Sequence, residues 1–399
     1  MLGRLNHYVK NVSIFLVAVI LITGMVGCGD NLPPQEGEIR TWYDLAAVKD
    51  NLTGNYTLVN DLDSTTAGYE ELASPTANEG KGWEPIGFLG GIASFTGTFD
   101  GQGHEIGDFF VNRPDQIRIG LFGMIDHGAI VENLGVANVT VVGGRLVGGL
   151  VGLNDGTISN SYSTGSVTGN DEVGGLVGEH SWGALRNCYS ITSVTGENDV
   201  GGLVGRNDAT TVNDSYCMGT ISNSYSKGNV TGQSSVGGLV GATDHHIMVE
   251  GSYSGGSATG DNNAGGVVAL DECSTVSNSY STARVTGSRK VGGLVGHNED
   301  GTVSNSYSTG NVTGDEHVGG LVGWNEHGTV SNCFWNTQNS GQATSDGGTG
   351  KNTMEMQDIA TFSDAGWNIT AVDNPGDRNP AYVWNIVDDE TYPFLSWQP

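Results

Sequence analysis

The chain has 399 residues, of which 65 are glycine, and its 44 acidic residues against 16 basic ones give a net charge of −28. Glycine is used at more than twice its average share of about 7%, yet no Gly-X-Y triplet runs along the chain, which excludes collagen. Only 15% of the residues are charged and no heptads occur, which excludes a coiled coil. A nucleic-acid-binding protein is excluded too, because phosphate contacts require clustered Lys and Arg.

The first 27 residues predict an export signal. Arg4 and Lys10 precede an apolar run over residues 12–22, which is too short to cross a membrane as a helix. The run is followed by Met25-Val26-Gly27-Cys28, which resembles the lipobox of bacterial lipoproteins. We therefore expect a lipoprotein signal peptide over residues 1–27 and lipidation of Cys28. The alternative is an ordinary signal peptide with an incidental cysteine.

The same segment predicts where the protein resides. Cys28 would tie an exported chain to a membrane through lipid alone, with residues 28–38 as a linker. Gly29 stands where an inner-membrane retention signal has Asp, which favours the outer membrane if the host has two membranes. Export permits disulfides, but the repeat positions of the other four cysteines predict free, mostly buried thiols.

Residues 39–117 are predicted to form an N-terminal cap and the first coils. Thr41 and Asp44 form a capping-box pattern, and Leu45, Val48 and Leu52 follow at helical spacing. We expect a short helix within residues 41–52 that covers the end of the repeat array.

Repeats dominate residues 118–336. The string Val-Gly-Gly-Leu-Val-Gly or a degenerate copy recurs about every 27 residues, with starts at Arg118, Val147, Val173, Val200, Val236, Ala264, Val291 and Val318. A second motif, Thr-Val-Ser-Asn-Ser-Tyr-Ser from Thr302, lies between these strings. A fixed period of this length predicts a solenoid whose units bury their apolar faces only against neighbouring units.

The sequence of each unit predicts three short strands. Strand one is the glycine string, strand two is the Ser-Tyr motif and strand three is the Asn-Val-Thr segment that follows it. Short Gly, Asn and Asp turns and β-branched residues fit strands and exclude helices. We predict an all-β fold, a right-handed parallel β-helix of about eight coils; Asn154, Asn207, Asn298 and Asn325 would take left-handed turns and bond to the next coil.

Residues 337–399 are predicted to close the other end of the array, since an open coil would expose strand edges. This tail is rich in Trp and Tyr. A short helix is expected over residues 354–360 and a loop over residues 340–350.

The units resemble the GLUG motif, a Gly-Leu-hydrophobic-Gly core represented here by Gly149-Leu150-Val151-Gly152 with Asn160-Ser-Tyr-Ser downstream. The flanking segments at residues 95–106 and 384–395 are similar to those of the same family. The resemblance covers nearly all of residues 39–399 and implies a bacterial surface or adhesin-like protein. Some immunoglobulin A peptidases also carry these repeats, but their zinc motif is absent, because His104-Glu105 lacks the second histidine.

One aromatic position of the repeat forms a candidate binding stripe. It comprises Tyr162, Tyr189, Tyr225, Tyr253, Tyr280 and Tyr307, continued by Phe334. Leu134 stands where Ser161 stands in the next repeat, which indicates that this neighbouring position faces inward and the tyrosines outward. Such a stripe would stack on sugar rings or hold an extended partner. The alternative is a ladder that serves stability alone.

Two acidic turns are candidate calcium sites, Asp171-Glu172 and Asp315-Glu316. Calcium prefers six to eight oxygen ligands, but equivalent turns lack acids, so simple solvated turns are the alternative. No cofactor other than calcium is expected.

The sequence therefore predicts a lipid-anchored surface solenoid that binds an extracellular polysaccharide or a surface protein. A polysaccharide lyase or hydrolase on the same scaffold is the runner-up, with Asp244-His245-His246 and Glu250 as its candidate cluster. An envelope protein with a purely structural role is the third hypothesis.

Overall fold

The computed structural model describes residues 37–87, 93–208 and 219–398. These residues belong to one compact unit over residues 36–399, separate from residues 1–35. The predicted signal peptide and Cys28 lie outside the described residues, as does Cys217. Among the residues described, no helix is long and apolar enough to span a membrane.

The unit is a parallel β-solenoid, as predicted, with coils of about 27 residues and three faces. Neighbouring coils pair in parallel and in register; Ile158, for example, lies opposite Leu185. Along the described chain, face A is an eleven-stranded sheet and face C an eight-stranded one. Face B is the widest, and about eight coils contain all three faces.

The strands of face A are Glu38–Ile39, Asn55–Leu58, Thr98–Asp100, Ile130–Glu132, Thr157–Ser159, Ala184–Arg186, Thr220–Ser222, Met248–Glu250, Thr275–Ser277, Thr302–Ser304 and Thr329–Ser331. Those of face C are Phe122–Ile125, Val151–Asn154, Val177–His180, Val204–Asp208, Val240–Asp244, Val268–Glu272, Val295–Glu299 and Val322–Glu326. Those of face B are Glu105–Gly107, Phe110–Ile119, Gly135–Gly148, Tyr162–Thr168, Asp171–Gly174, Tyr189–Thr195, Asn198–Gly201, Tyr225–Ser226, Asn229–Thr231, Ser234–Gly237, Tyr253–Ser254, Ser257–Gly265, Tyr280–Ser281, Arg284–Gly292, Tyr307–Ser308, Val312–Thr313, Glu316–Gly319, Phe334–Asn336 and Thr349–Lys351.

Each repeated motif turns a corner between faces. Gly148 ends a face-B strand and Val151 begins the next face-C strand, so predicted strand one is not a single strand. Predicted strand two is wrong for the same reason, because Asn160 has a left-handed backbone (φ 49°) between faces A and B. The glycine string does bend and approach the next coil closely: a Cβ on Gly202 would lie 2.2 Å from the carbonyl oxygen of Gly238.

The interior is a stack of Val and Leu layers with polar ladders at two positions. Ser161 faces inward, as predicted, and its hydroxyl donates to the Ser159 carbonyl at 2.8 Å. Asn298 donates to Asn325 in the next coil at 2.6 Å. The predicted bond between coils is therefore present for this pair, whereas the Asn207 side chain has no hydrogen-bond partner within the described residues. The four asparagines lie within face-C strands and not in left-handed turns; the A–B corner does hold left-handed asparagines, Asn160 among them.

The N-terminal helix forms where the capping box predicts it. Helix α1 spans Trp42–Ala47 and continues as a 3-10 turn over Val48–Asp50. Thr41 and Asp44 exchange the expected hydrogen bonds, and Leu45 is fully buried. Two short helical turns follow, α2 over Tyr69–Leu72 and α3 over Ala77–Gly80.

The C-terminal residues do more than close the array. Helix α4 spans Thr337–Ser340, and the strand Thr349–Lys351 adds one more layer to face B. Helix α5 spans Ile359–Ser363, later than the helix predicted over residues 354–360, because Asp358 provides its N-cap. A small sheet follows, comprising Ile369–Ala371, Trp384–Ile386 and Phe394–Leu395. We call residues 352–398 the C-terminal segment.

Cys188 and Cys333 are free and buried, as predicted, but Cys273 is exposed because it occupies a corner with a left-handed backbone.

Candidate functional site

The repeated tyrosines form a continuous stack along the solenoid. Each begins a face-B strand and pairs in register with the tyrosine of the next coil. Ring centroids are 4.7 to 5.1 Å apart and successive planes differ by at most 8°. This spacing follows from the distance between parallel strands, so the ladder is a direct consequence of the repeat.

The C-terminal segment lies across half of this ladder. Tyr253, Tyr280 and Tyr307 are only 2 to 5% exposed and pack in one apolar cluster with residues such as Trp367 and Trp384. The Tyr307 hydroxyl also donates to the Pro393 carbonyl at 2.5 Å. The expectation that the whole ladder faces solvent is therefore wrong for these three tyrosines, because the chain's own aromatic residues cover them.

The other half of the ladder stays open. Tyr162, Tyr189 and Tyr225 are half-buried, and Tyr225, at the boundary, also packs against the covered cluster; we call these three the open stack. Ile191, which is 48% exposed, widens its apolar surface. At the far end Tyr162 donates to the Glu105 carboxylate. Burial, together with that carboxylate, raises the pKa of Tyr162, so its hydroxyl stays protonated at neutral pH.

The boundary between the open and covered halves carries a groove. It has a volume of about 660 Å³ and lies between the outer side of face A and the C-terminal segment. Arg186, Glu250 and Asn278 line one side, and Tyr382 and Trp397 line the other. The Trp397 indole donates to the Gly251 carbonyl at 2.9 Å and its ring lies 6.0 Å from that of Tyr253. We call this the side groove.

The side groove coincides with breaks in the repeat that the sequence analysis missed. Arg186 and Glu250 occupy a position that is serine in five other face-A strands, at residues 159, 222, 277, 304 and 331. Gly251 stands where other coils have the corner asparagine. These substitutions are visible in the sequence once the repeats are aligned, but nothing in it indicates that the C-terminal segment borders them.

The predicted calcium residues lie in different surroundings. Glu172 is buried and accepts two hydrogen bonds from Arg145 of the preceding coil, at 2.5 and 2.6 Å. Glu316 is exposed and lies 3.0 Å from Arg289. Asp171 accepts a bond from Asn198 at 2.7 Å, and Asp315 is exposed. An arginine of the neighbouring coil thus already neutralises one carboxylate of each pair.

The residues of the candidate catalytic cluster do not lie together in one site. Asp244 and His245 lie at the corner after face C, where Asp208 contributes a third group with metal-ligand geometry. Arg206 pairs with Asp244 at 3.0 Å and lies 3.6 Å from Asp208, so a cation is already present there. Glu250 lies at the far end of the next face-A strand, Met248–Glu250, which spans roughly 10 Å. It therefore lines the side groove and does not lie beside Asp244. His246 is exposed.

Comparisons with known proteins identify the repeat and the fold. Residues 143–168, 196–231, 287–313 and 314–334 match the model of the GLUG motif. The chain is 33% identical over 180 residues to halomucin of Haloquadratum walsbyi, covering 44% of this chain and 2% of that protein. It is 35% identical over 161 residues to a Gly-rich protein of Evansella cellulosilytica, provisionally named a membrane protein, covering 32% of this chain and 18% of that protein. The chain therefore spans a small part of both relatives.

A solved structure from Bacteroides ovatus, provisionally named an immunoglobulin A1 protease, superposes with a TM-score of 0.51. The match covers 91% of this chain and 92% of that one at 17% sequence identity. At this identity the likeness shows the fold alone.

Proposed function

We propose that this GLUG-motif repeat protein is a surface-displayed binding protein, anchored by lipid at Cys28, which holds an extracellular glycan or protein on its open stack. Binding requires no bond-making step, and it uses the repeated side of face B rather than a convergent cleft.

The observation that carries the proposal is the division of the ladder. The same stacked tyrosines are buried under aromatic residues over half their length and left open over the other half. The covered half supports this proposal, since the C-terminal segment itself packs against the same ladder. The open stack offers a similar surface made of ring edges and hydroxyls, because the rings cover one another's faces, and such edges can contact apolar groups while the hydroxyls form hydrogen bonds.

Its location at a cell surface has separate support. The relatives named halomucin and a Gly-rich membrane protein favour a surface or membrane-associated protein, as does the lipobox-like sequence that ends at Cys28. A net charge of −28 keeps an exported protein soluble and repels other acidic polymers.

The binding claim is tested by replacing Tyr162, Tyr189 and Tyr225 with serine in the soluble chain from Gly29 onward. Retention on immobilised polysaccharides and on immobilised cell-surface proteins is compared with that of the unaltered chain. We expect retention to fall at least tenfold while circular dichroism stays unchanged, because these side chains stand on the outside of the coils.

The control variant changes Thr168, Thr195 and Thr231 to serine, since these exposed residues lie on the same face of the same three coils. Equal retention of both variants would refute the open stack. Released sugar ends in the same assay would favour the lyase or hydrolase hypothesis, and no retention of the unaltered chain would favour a structural role.

The anchor is tested separately by changing Cys28 to serine in the producing cell. We expect the protein to move from the membrane fraction to the soluble fraction. A variant that stays with the membrane would contradict lipidation.

A further inference from the structure

We infer that the side groove is a binding subsite for a neutral polysaccharide, and that a glycan chain lying in it continues onto the open stack. This inference rests on the proposed function and names its ligand class.

The groove departs from the repeat at the two positions that supply its charged side chains. Arg186 and Glu250 replace serine two coils apart, on either side of Ser222, and therefore stand about 10 Å from each other along the axis. Both are exposed, and Arg186 makes no ion pair within the described ranges. A guanidinium and a carboxylate at this separation match hydroxyl groups on neighbouring sugar units, which both donate and accept hydrogen bonds.

Gly251 opens the groove. It has a left-handed backbone (φ +56°) like the corner asparagines it replaces, so the fold does not need glycine for conformation alone at this corner. A Cβ there would stand 3.0 Å from the Asn223 side-chain oxygen and 3.7 Å from the Trp397 indole nitrogen. A full asparagine side chain would crowd the place where Trp397 docks, and the aromatic wall of the groove would be lost.

The groove combines aromatic and polar surfaces. Tyr382, which is 39% exposed, and Trp397 supply aromatic area, while Arg186, Glu250 and Asn278 supply donors and acceptors. Sugar rings need both, because each has an apolar face and a rim of hydroxyls. The volume of about 660 Å³ lies within the usual 300–1,000 Å³ of ligand sites.

The charges of the groove favour a neutral ligand. The strongly acidic protein disfavours polyanions, and the one arginine and one glutamate in the groove lining balance each other, which fits a neutral glycan. Asn223 lines the groove at the corner between faces A and B, and Tyr225 of the open stack begins the face-B strand two residues later. One chain of sugars can therefore occupy the groove and the open stack together.

The test measures affinity electrophoresis of the unit over residues 36–399 in gels containing laminarin, xylan, mannan or hydroxyethylcellulose, with alginate and polygalacturonate as polyanions. We expect retardation by at least one neutral glycan and by neither polyanion. Arg186→Ser with Glu250→Ser should weaken it at least tenfold, and the fold should tolerate both changes because serine is the repeat residue.

The matched control is Glu132→Ser, the same repeat position in a coil outside the groove. Equal weakening by this control would overturn the inference, and so would full binding by the double variant, retardation by polyanions alone, or no retardation by any neutral glycan. The open-stack variant is run alongside. If that variant loses binding while the groove variant keeps it, the proposed function stands and the subsite is wrong. The reverse result supports the groove but refutes the open stack, and with it the continuation of the glycan onto that stack.

Discussion

Replacing Asp271 by asparagine should stabilise the solenoid at neutral pH. Asp271 is fully buried at an inward position of face C, and its carboxylate accepts a bond from Thr243 at 2.9 Å. Its second oxygen and the side-chain oxygen of Asn298 have no hydrogen-bond partner within the described chain. Both lie within 2.5 Å of the point where a Cβ on Gly301 would stand. A proton on Asp271 would let it donate towards Asn298.

The pKa of Asp271 determines the sign and size of the effect. Burial raises this pKa from the ordinary 3.8 to about 7, against the opposing effect of the Thr243 bond. Below pH 3.8 the carboxyl is protonated in both folded and unfolded chains and costs nothing. Between pH 3.8 and about 7 the Asp271 carboxyl ionises in the unfolded chain but stays protonated in the folded one. The free energy of unfolding therefore falls as the pH rises, and this loss is complete above about pH 7. A shift of three pKa units corresponds to about 4 kcal/mol.

The variant Asp271→Asn should remove this cost, because an amide is neutral at every pH and can donate to Asn298. Asparagine also occupies the equivalent position in the next two coils. In urea unfolding we expect the variant to be more stable by up to about 4 kcal/mol at pH 8 and nearly unchanged at pH 4. Asp261→Asn, an exposed change of equal charge, serves as the control. An equal gain at both pH values, or a loss at pH 8, would refute the reasoning.

Three further predictions follow from single contacts. Arg145→Ala leaves the buried Glu172 carboxylate without its partner and should lower the free energy of unfolding by roughly 2 kcal/mol in urea titrations; no change would show that Glu172 is solvated. Tyr307→Phe removes the bond to the Pro393 carbonyl and should cost about 1 kcal/mol and speed proteolysis of the C-terminal segment, whereas unchanged proteolysis would argue against that contact. Millimolar calcium should leave the thermal midpoint unchanged because arginines already pair with the acidic turns, and a clear rise would contradict this.

The repeat explains why most of the fold is predictable. Each coil presents the same layers, so Val147 and its counterparts predict the period, and the pair Ser161 and Leu134 predicts which side faces inward. Thr41 and Asp44 likewise predict helix α1, because a capping box acts between residues three apart. Local patterns of this kind need no knowledge of distant contacts.

The packing position of the C-terminal segment cannot be predicted from local patterns. Trp384 packs against Tyr280 and Tyr307, with ring centroids 6.0 and 5.8 Å apart, yet these residues are far apart in sequence and no repeat relates them. Aromatic composition predicts that the segment packs on something, but it cannot distinguish the end of the array from its side. The covered half of the ladder and the side groove both depend on where the C-terminal segment packs. Neither could therefore be predicted from the sequence.

The most direct measurement of the central claim is hydroxyl-radical footprinting of the tyrosine rings, which does not depend on their ionisation, followed by mass spectrometry, with and without a retained polymer. In the free protein we predict modification of Tyr162, Tyr189 and Tyr225 and protection of Tyr280 and Tyr307. The polymer should protect the first three and leave the covered pair as it was. Bound polymer that leaves the open stack fully reactive would contradict the account.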